Sequence, residues 1–282
     1  MFEVIVLIGL ALIWMIFATM QDIKTREVAN WINFSLIIFA LGFRFFYSLF
    51  QSDGFNFFFQ GLIGFVIFFI MGNLFYYSKV FGGGDAKLMY ALGAILPFSA
   101  SFIVNLQILI SFLFLFLFTG GIYGVITSIF LGLKNSKIIK SNFSKLLKKY
   151  KRISLFVMLI GLVIMVLGYR ENVIFYYGIL VFIIPYIFLY VKSIDKIMFK
   201  KIDTNKLTEG DLLTKDLKIG GKTIKMVWGG LTKAQIKEIK KRYRKIEVKW
   251  GIAFVPVFLI SFLILLYAYF SGFLEILWNS LW

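Results

Sequence analysis

Long apolar runs, each near the ~20 residues needed to cross a ~30 Å hydrocarbon core as a helix, recur along the whole chain. In lipid a backbone must satisfy its own hydrogen bonds, so such runs fold as spanning helices. Residues 4–20, 31–50, 57–77, 153–169, 173–191 and 252–274 each read as one span. Residues 86–133 carry Lys87 as their single charge and are too long for one crossing. Pro97, Ser99, Ser101 and Asn105 mark a turn that divides them, which brings the count to about eight transmembrane helices. With 60% apolar and 16% charged residues, a soluble fold of 282 residues could not hide its apolar surface. The fold class is an all-α polytopic membrane protein.

The loops fix the sidedness. Segments 21–30, 78–87, 134–152 and 192–249 fall on one side by alternation and hold 2, 2, 8 and 17 basic residues, 29 of the 31 in the chain. Arg44 and Arg170 are the remainder. That asymmetry makes the basic side cytoplasmic and puts both termini outside the cell membrane. The first run is not expected to be a cleavable signal peptide, since Glu3 precedes it and Lys24 and Arg26 follow it. The net charge of +17 is then a matter of topology and of attraction to anionic membrane lipids, with no nucleic acid partner implied.

Three regions follow: 1–191 with seven helices, a basic cytoplasmic loop module at 192–249, and a C-terminal helix within 250–282. The module reads as small and α+β. Turn-forming residues fill 204–225, and a β-prone run covers 222–228. Thr232 followed by Gln235 is a capping box opening an amphipathic helix over 233–247, with Ile236, Ile239 and Tyr243 on its docking face.

The chain has no His and no Cys. Ser-His-Asp and Cys-His catalysis are therefore excluded, as are zinc sites built on those residues, and neither metal nor cofactor is expected. Any hydrolytic chemistry must then come from carboxylates, a Ser-Lys pair, or a cation held only by oxygen. Asp22 follows the first helix and Asp85 opens the fourth, so both sit at one depth on the cytoplasmic side; Glu27 is the nearest rival. Glu3, Asp53, Glu171 and Glu275 face the other way. Two close carboxylates share a proton, so one can deprotonate water while the other hydrogen-bonds a scissile carbonyl. The run Gly82-Gly83-Gly84 before Asp85 would let a substrate backbone approach closely and would permit positive φ.

Gly82-x-Gly84-Asp85, followed by Lys87, resembles the G-x-G-D signature of the membrane aspartic proteases. The stretch from Asp22 through Arg26 and Val28 to Asn30 is similar to the D-x-x-x-R-x-V/I-x-N/D stretch of the prepilin peptidases. Leu207 to Asp211 and Trp250 to Pro256 look like segments of the archaeal, preflagellin peptidase branch. The resemblance implies an aspartic endopeptidase with Asp22 and Asp85 catalytic, and with Gly82, Gly83, Gly84, Lys87 and Glu27 at the substrate. Its partners would be prepilin-like or preflagellin (archaellin) precursors, whose short basic leader is cut at the cytoplasmic face. The chain lacks the four-Cys insertion of many bacterial members, and no Gly-rich nucleotide site follows a strand, so methyl transfer is not implied.

Glu27, Glu209, Asp211 and Asp216 could anchor a basic leader, but ordinary solvation and helix or turn capping is the favoured account of these acids. An ion-coupled transporter is the non-enzymatic alternative, for which Arg44 and Asn73 are the deep polar residues. A presenilin-like protease is a further alternative, but Gln21 stands where Tyr would precede the first Asp, and Pro-Ala-Leu is missing.

Overall fold

The computed structural model describes residues 2–50, 54–170, 172–219, 221–227 and 229–281; Asp53, Glu171 and Trp228 lie outside them. The chain divides into two compact units, Met1–Gly124 with Gly251–Trp282, and Val125–Trp250.

The first unit holds α1 (Phe2–Thr25), α2 (Asn30–Leu49), α3 (Asn56–Tyr77), α4 (Gly83–Ile95) and the first two-thirds of α5 (Phe102–Lys134). The last 32 residues return to it as α9 (Val255–Phe270) and α10 (Phe273–Leu281), bent 81° from each other. Large apolar side chains such as Phe17, Ile38, Phe46, Ile70 and Phe114 stand exposed on its outer faces, as lipid contact requires. Its interior is packed by Leu7, Met15, Leu36, Phe68, Leu88, Phe112 and Phe258.

Among the described residues six helices are long and apolar enough to span, and the bent pair, taken as one span, brings the number to seven. The eighth expected span, α4, has only 13 residues, about 20 Å at 1.5 Å each. It is not among the spanning helices, and the chain continues from it as buried loop through Leu96, Pro97 and Phe98. Non-helical backbone is tolerated at membrane depth only when protein satisfies it, and here Arg44 does so. Wholly buried, its guanidinium donates from Nε to the Ala94 carbonyl (2.8 Å) and from Nη2 to those of Ile95 (3.1 Å) and Pro97. A further bond goes from Nη1 to Phe57 O (2.9 Å), and the Phe57 ring lies 4.3 Å beneath the cation. Gly61 leaves the space this side chain fills, since a Cβ there would lie 2.6 Å from Arg44 Nε. Asn105 continues the network, accepting from Ser99 N (2.9 Å) and donating to Gln60 Oε1 (2.9 Å). The turn expected at 97–105 is thus present, and Arg44 is occupied as its clamp. Asn73 bonds its own helix at Phe69 O. Gly64 and Gly93 bring the α3 and α4 backbones together, an approach any Cβ would block.

The second unit holds the end of α5, then α6 (Ser136–Leu167) and α7 (Asn172–Asp195), joined face to face through Gly161 and Gly178. After it come β1 (Phe199–Asp203), β2 (Leu212–Leu213), β3 (Leu217–Ile219), β4 (Lys222–Ile224), α8 (Lys233–Arg242) and β5 (Lys245–Lys249). Strands β1, β5 and β2 form one antiparallel sheet in that order, and β3 with β4 a hairpin. The capping box forms as expected, with Thr232 Oγ1 accepting from Gln235 N and Gln235 Oε1 from Thr232 N (2.9 Å). Ile236 and Ile239 are buried on the docking face. The helix stops at Arg242, five residues earlier than expected. Lys245 to Lys249 alternates polar with β-branched residues, and as β5 it buries Ile246 and Val248.

Candidate active site

Helix α1 ends one turn beyond Asp22. Arg26 adopts a left-handed φ of +63°, which stops the helix, and its N–H closes the last turn on Asp22 O (2.8 Å). The connecting loop folds back at once, Ala29 N donating to Gln21 Oε1 (3.0 Å). Asp22 is thereby buried, 5% exposed, at the C-terminal end of α1.

Its carboxyl meets the start of α9. The first N–H groups of a helix have no partner within it, and here Val255 N donates to Asp22 Oδ2 at 2.9 Å, with the Phe254 amide directed at the same carboxyl. Pro256 follows in the first turn, where its missing N–H costs nothing. Asp85 occupies the equivalent place on α4. It lies in the first turn, half-buried, and its Oδ2 accepts from Gly82 N at 3.1 Å. Each carboxyl thus sits at the positive end of a helix, and the two helix starts are joined where the Phe254 ring packs near Phe81, the residue that leads into the glycine loop.

The glycine loop is held from both sides. Phe81 is buried in an aromatic cluster, its ring 4.8 Å from Phe75, 5.6 Å from Phe116 and 5.9 Å from Phe258, and Phe254 joins at 6.5 Å. On the other side Asn33 Nδ2 donates to Gly84 O (3.2 Å), and Val28 packs against Gly84. Gly82 and Gly83 remain exposed, and a Cβ on Gly83 would meet nothing closer than 4.0 Å. None of the three glycines has positive φ, contrary to expectation; Gly82 is extended at φ −72°, ψ 165°. Openness, not backbone strain, is what their missing side chains provide.

Of the other expected substrate residues, Lys87 donates to Asn30 Oδ1 (2.6 Å) with the Phe34 ring nearby, tying α4 to α2. Glu27 lies half-buried on the α1–α2 loop, its carbonyl accepting from the Thr25 hydroxyl. In the second unit the candidate leader anchors have local employment. Glu209 pairs with Lys233, Asp211 accepts from Thr208 N, and Asp216 accepts from Met226 N. Burial pushes the Asp211 carboxyl above its ordinary value, with the Thr208 amide opposing. No group of three or more potential metal ligands gathers among the described residues.

Residues 9–125 match the model of the type IV leader peptidase family. Both aspartates and the glycine run fall inside that segment, as the motifs led one to expect. Three curated archaeal relatives, each a preflagellin peptidase, align with part of the chain. That of Methanococcus maripaludis is 35% identical over 83 residues, 29% of this chain and 35% of its own. That of Methanocaldococcus jannaschii is 33% identical over 85 residues, 30% and 36% respectively. That of Methanococcus voltae is 32% identical over 89 residues, 32% and 37%. The alignment therefore spans little more than a third of each relative's length. No solved structure matches. Phe254 and Val255, which complete the surroundings of Asp22, lie beyond the family match, and sequence reasoning gave them a resemblance but no role.

Proposed function

We propose that this chain is an aspartic endopeptidase that removes the short basic leader from preflagellin (archaellin) or type IV prepilin-like precursors at the cytoplasmic membrane face. The observation that carries the proposal is that Asp22 and Asp85, 63 positions apart in sequence, each accept from the amides at a helix start, and that these starts are joined by the Phe254–Phe81 ring contact beside an open glycine loop. One carboxylate takes a proton from a water molecule. The other, protonated, donates to the scissile carbonyl, and the resulting tetrahedral centre collapses as the leaving amine is protonated. An extended substrate lies over Gly82 and Gly83, where no side chain obstructs it. The family match and the names of the archaeal relatives support leader cleavage as the reaction. Concentration of 29 of 31 basic residues in four loops supports the cytoplasmic face.

Detergent-solubilised protein incubated with a pilin-type or archaellin precursor tests the mechanism. Asp22→Asn and Asp85→Asn should each abolish cleavage, and the double variant should be no worse than either, because the two act as one unit. Substantial cleavage by either single variant refutes the aspartic dyad. The Asp85→Asn protein should still retain uncleaved precursor in a pull-down, which would identify the substrate class.

A further inference from the structure

Asn33 is wholly buried on α2, yet it meets only half of its hydrogen-bonding needs. Its Nδ2 donates to Gly84 O at 3.2 Å, while Oδ1 has no partner among the described residues. An unsatisfied buried acceptor costs free energy that an apolar side chain of the same shape avoids. Packing alone is therefore a poor reason to have Asn here. What the amide does reach is the residue before Asp85, across 51 positions of sequence.

Two further contacts join the same elements. Val28 packs on Gly84, and Lys87 donates to Asn30. Val28 and Asn30 flank Ala29, whose N–H is bonded to Gln21, the residue before Asp22. The start of α2 is thus the piece that touches both halves of the candidate dyad. Of these contacts, the bond from Asn33 is the one made by a wholly buried side chain.

We infer that Asn33 is a positioning residue, which pins the Gly84–Asp85 turn to the start of α2 and so holds Asp85 in register with Asp22. The inference rests on the dyad reading above for its consequence in catalysis, but not for the tether itself. Asn33 touches neither carboxyl; it acts through the backbone. Loss of its N–H should leave precursor binding over Gly82 and Gly83 intact and spoil the alignment of the two acids.

The absence of native cysteines allows a test of position independent of activity. A Cβ on Gly84 would lie 3.5 Å from Val28 Cβ, within the range a disulfide needs. Val28→Cys with Gly84→Cys should therefore cross-link rapidly under copper-phenanthroline in membranes. Adding Asn33→Leu, or the equally shaped Asn33→Asp that presents an acceptor to Gly84 O, should slow cross-linking several-fold. In the cysteine-free chain the same two substitutions should lower kcat roughly 10- to 100-fold, the scale of a small misplacement of reacting groups. KM should stay within about twofold, because uniform binding is untouched. Unchanged cross-linking in both variants, or wild-type kcat in either, overturns the inference. Cleavage by Asp22→Asn would instead refute the dyad, and the cross-linking comparison would still decide whether Asn33 holds the turn.

Discussion

Replacing Arg44 by Met removes a donor set that three orphan carbonyls depend on. Ala94 and Ile95 are the last residues of α4 and Pro97 lies in the loop beyond, so none of their oxygens has an intrahelical N–H to accept from. Each carbonyl left dry costs about 1–3 kcal/mol. Relief from desolvating the guanidinium returns part of the sum over three carbonyls, which leaves a net of about 3–5 kcal/mol. At about 2–4 °C per kcal/mol for chains of this general size, Arg44→Met should unfold roughly 10 °C below wild type in a detergent thermal scan. Arg44→Lys restores the charge but not the fork, and should recover less than half of the loss. Gly61→Ala offers an internal control. Its methyl would collide with the Arg44 side chain, so it should destabilise the wild-type chain, yet be neutral or mildly stabilising once Met replaces Arg44. A melting point within about 1 °C of wild type for Arg44→Met, on the same scaling, would show that the carbonyls find other partners. Equal costs of Gly61→Ala in both backgrounds would show that the two residues do not share the space.

Gly82→Val should cut turnover while leaving a folded, membrane-inserted protein, because its side chain would stand at the open mouth of the loop beside Asp85 Oδ2; wild-type cleavage rates would reduce the run to a plain turn. Gly93→Ala should cost about 1–3 kcal/mol in the same thermal assay, since its methyl would press on the Gly64 backbone and on Phe68. Glu27→Gln, on the loop but with no assigned proton to move, should lose at most about tenfold in kcat, or about 1.4 kcal/mol of barrier. Single cysteines at Ser136, Asn205, Thr25 and Ser78 should react with an impermeant maleimide only from the cytoplasm, and one at Asn279 only from outside. Thr25 and Ser78 labelling from opposite faces would separate the two aspartates by the bilayer and end the protease reading.

Much of this architecture is legible because lipid simplifies the code. Hydropathy marks the long spans, and loop charge sets the expected sidedness. Asp22 and Asp85 stand out where a chain without His or Cys has few groups able to do hydrolytic chemistry. The Thr232–Gln235 cap and the break near Pro97 are local signals, and both appear where expected. What stays hidden depends on contacts distant in sequence. Arg44 reads as a stray charge until α4 proves too short and needs a donor at its end. Asn33 is one polar residue among many at a helix start, and only its reach to Gly84 distinguishes it. The expected helix over 233–247 overran because its pattern passes without a break into Lys245–Lys249, where alternation takes over from the helical period. No periodicity reveals that α9 lends its first amides to Asp22.

That last contact also orders events during synthesis. The amide that receives the Asp22 carboxyl is made 233 residues after Asp22 itself. At about 5–20 residues per second, the interval is on the order of 10–50 s. Through that time the carboxyl sits at the end of an inserted helix without the partner that fixes it, and closing so long a loop is slow compared with pairing neighbouring spans. The nascent chain can therefore assemble α1 to α4 and bring the glycine loop beside Asp22, but α9 must enter the membrane before both acids are held. A newly made chain therefore lacks the amide that fixes the Asp22 carboxyl until α9 has been made.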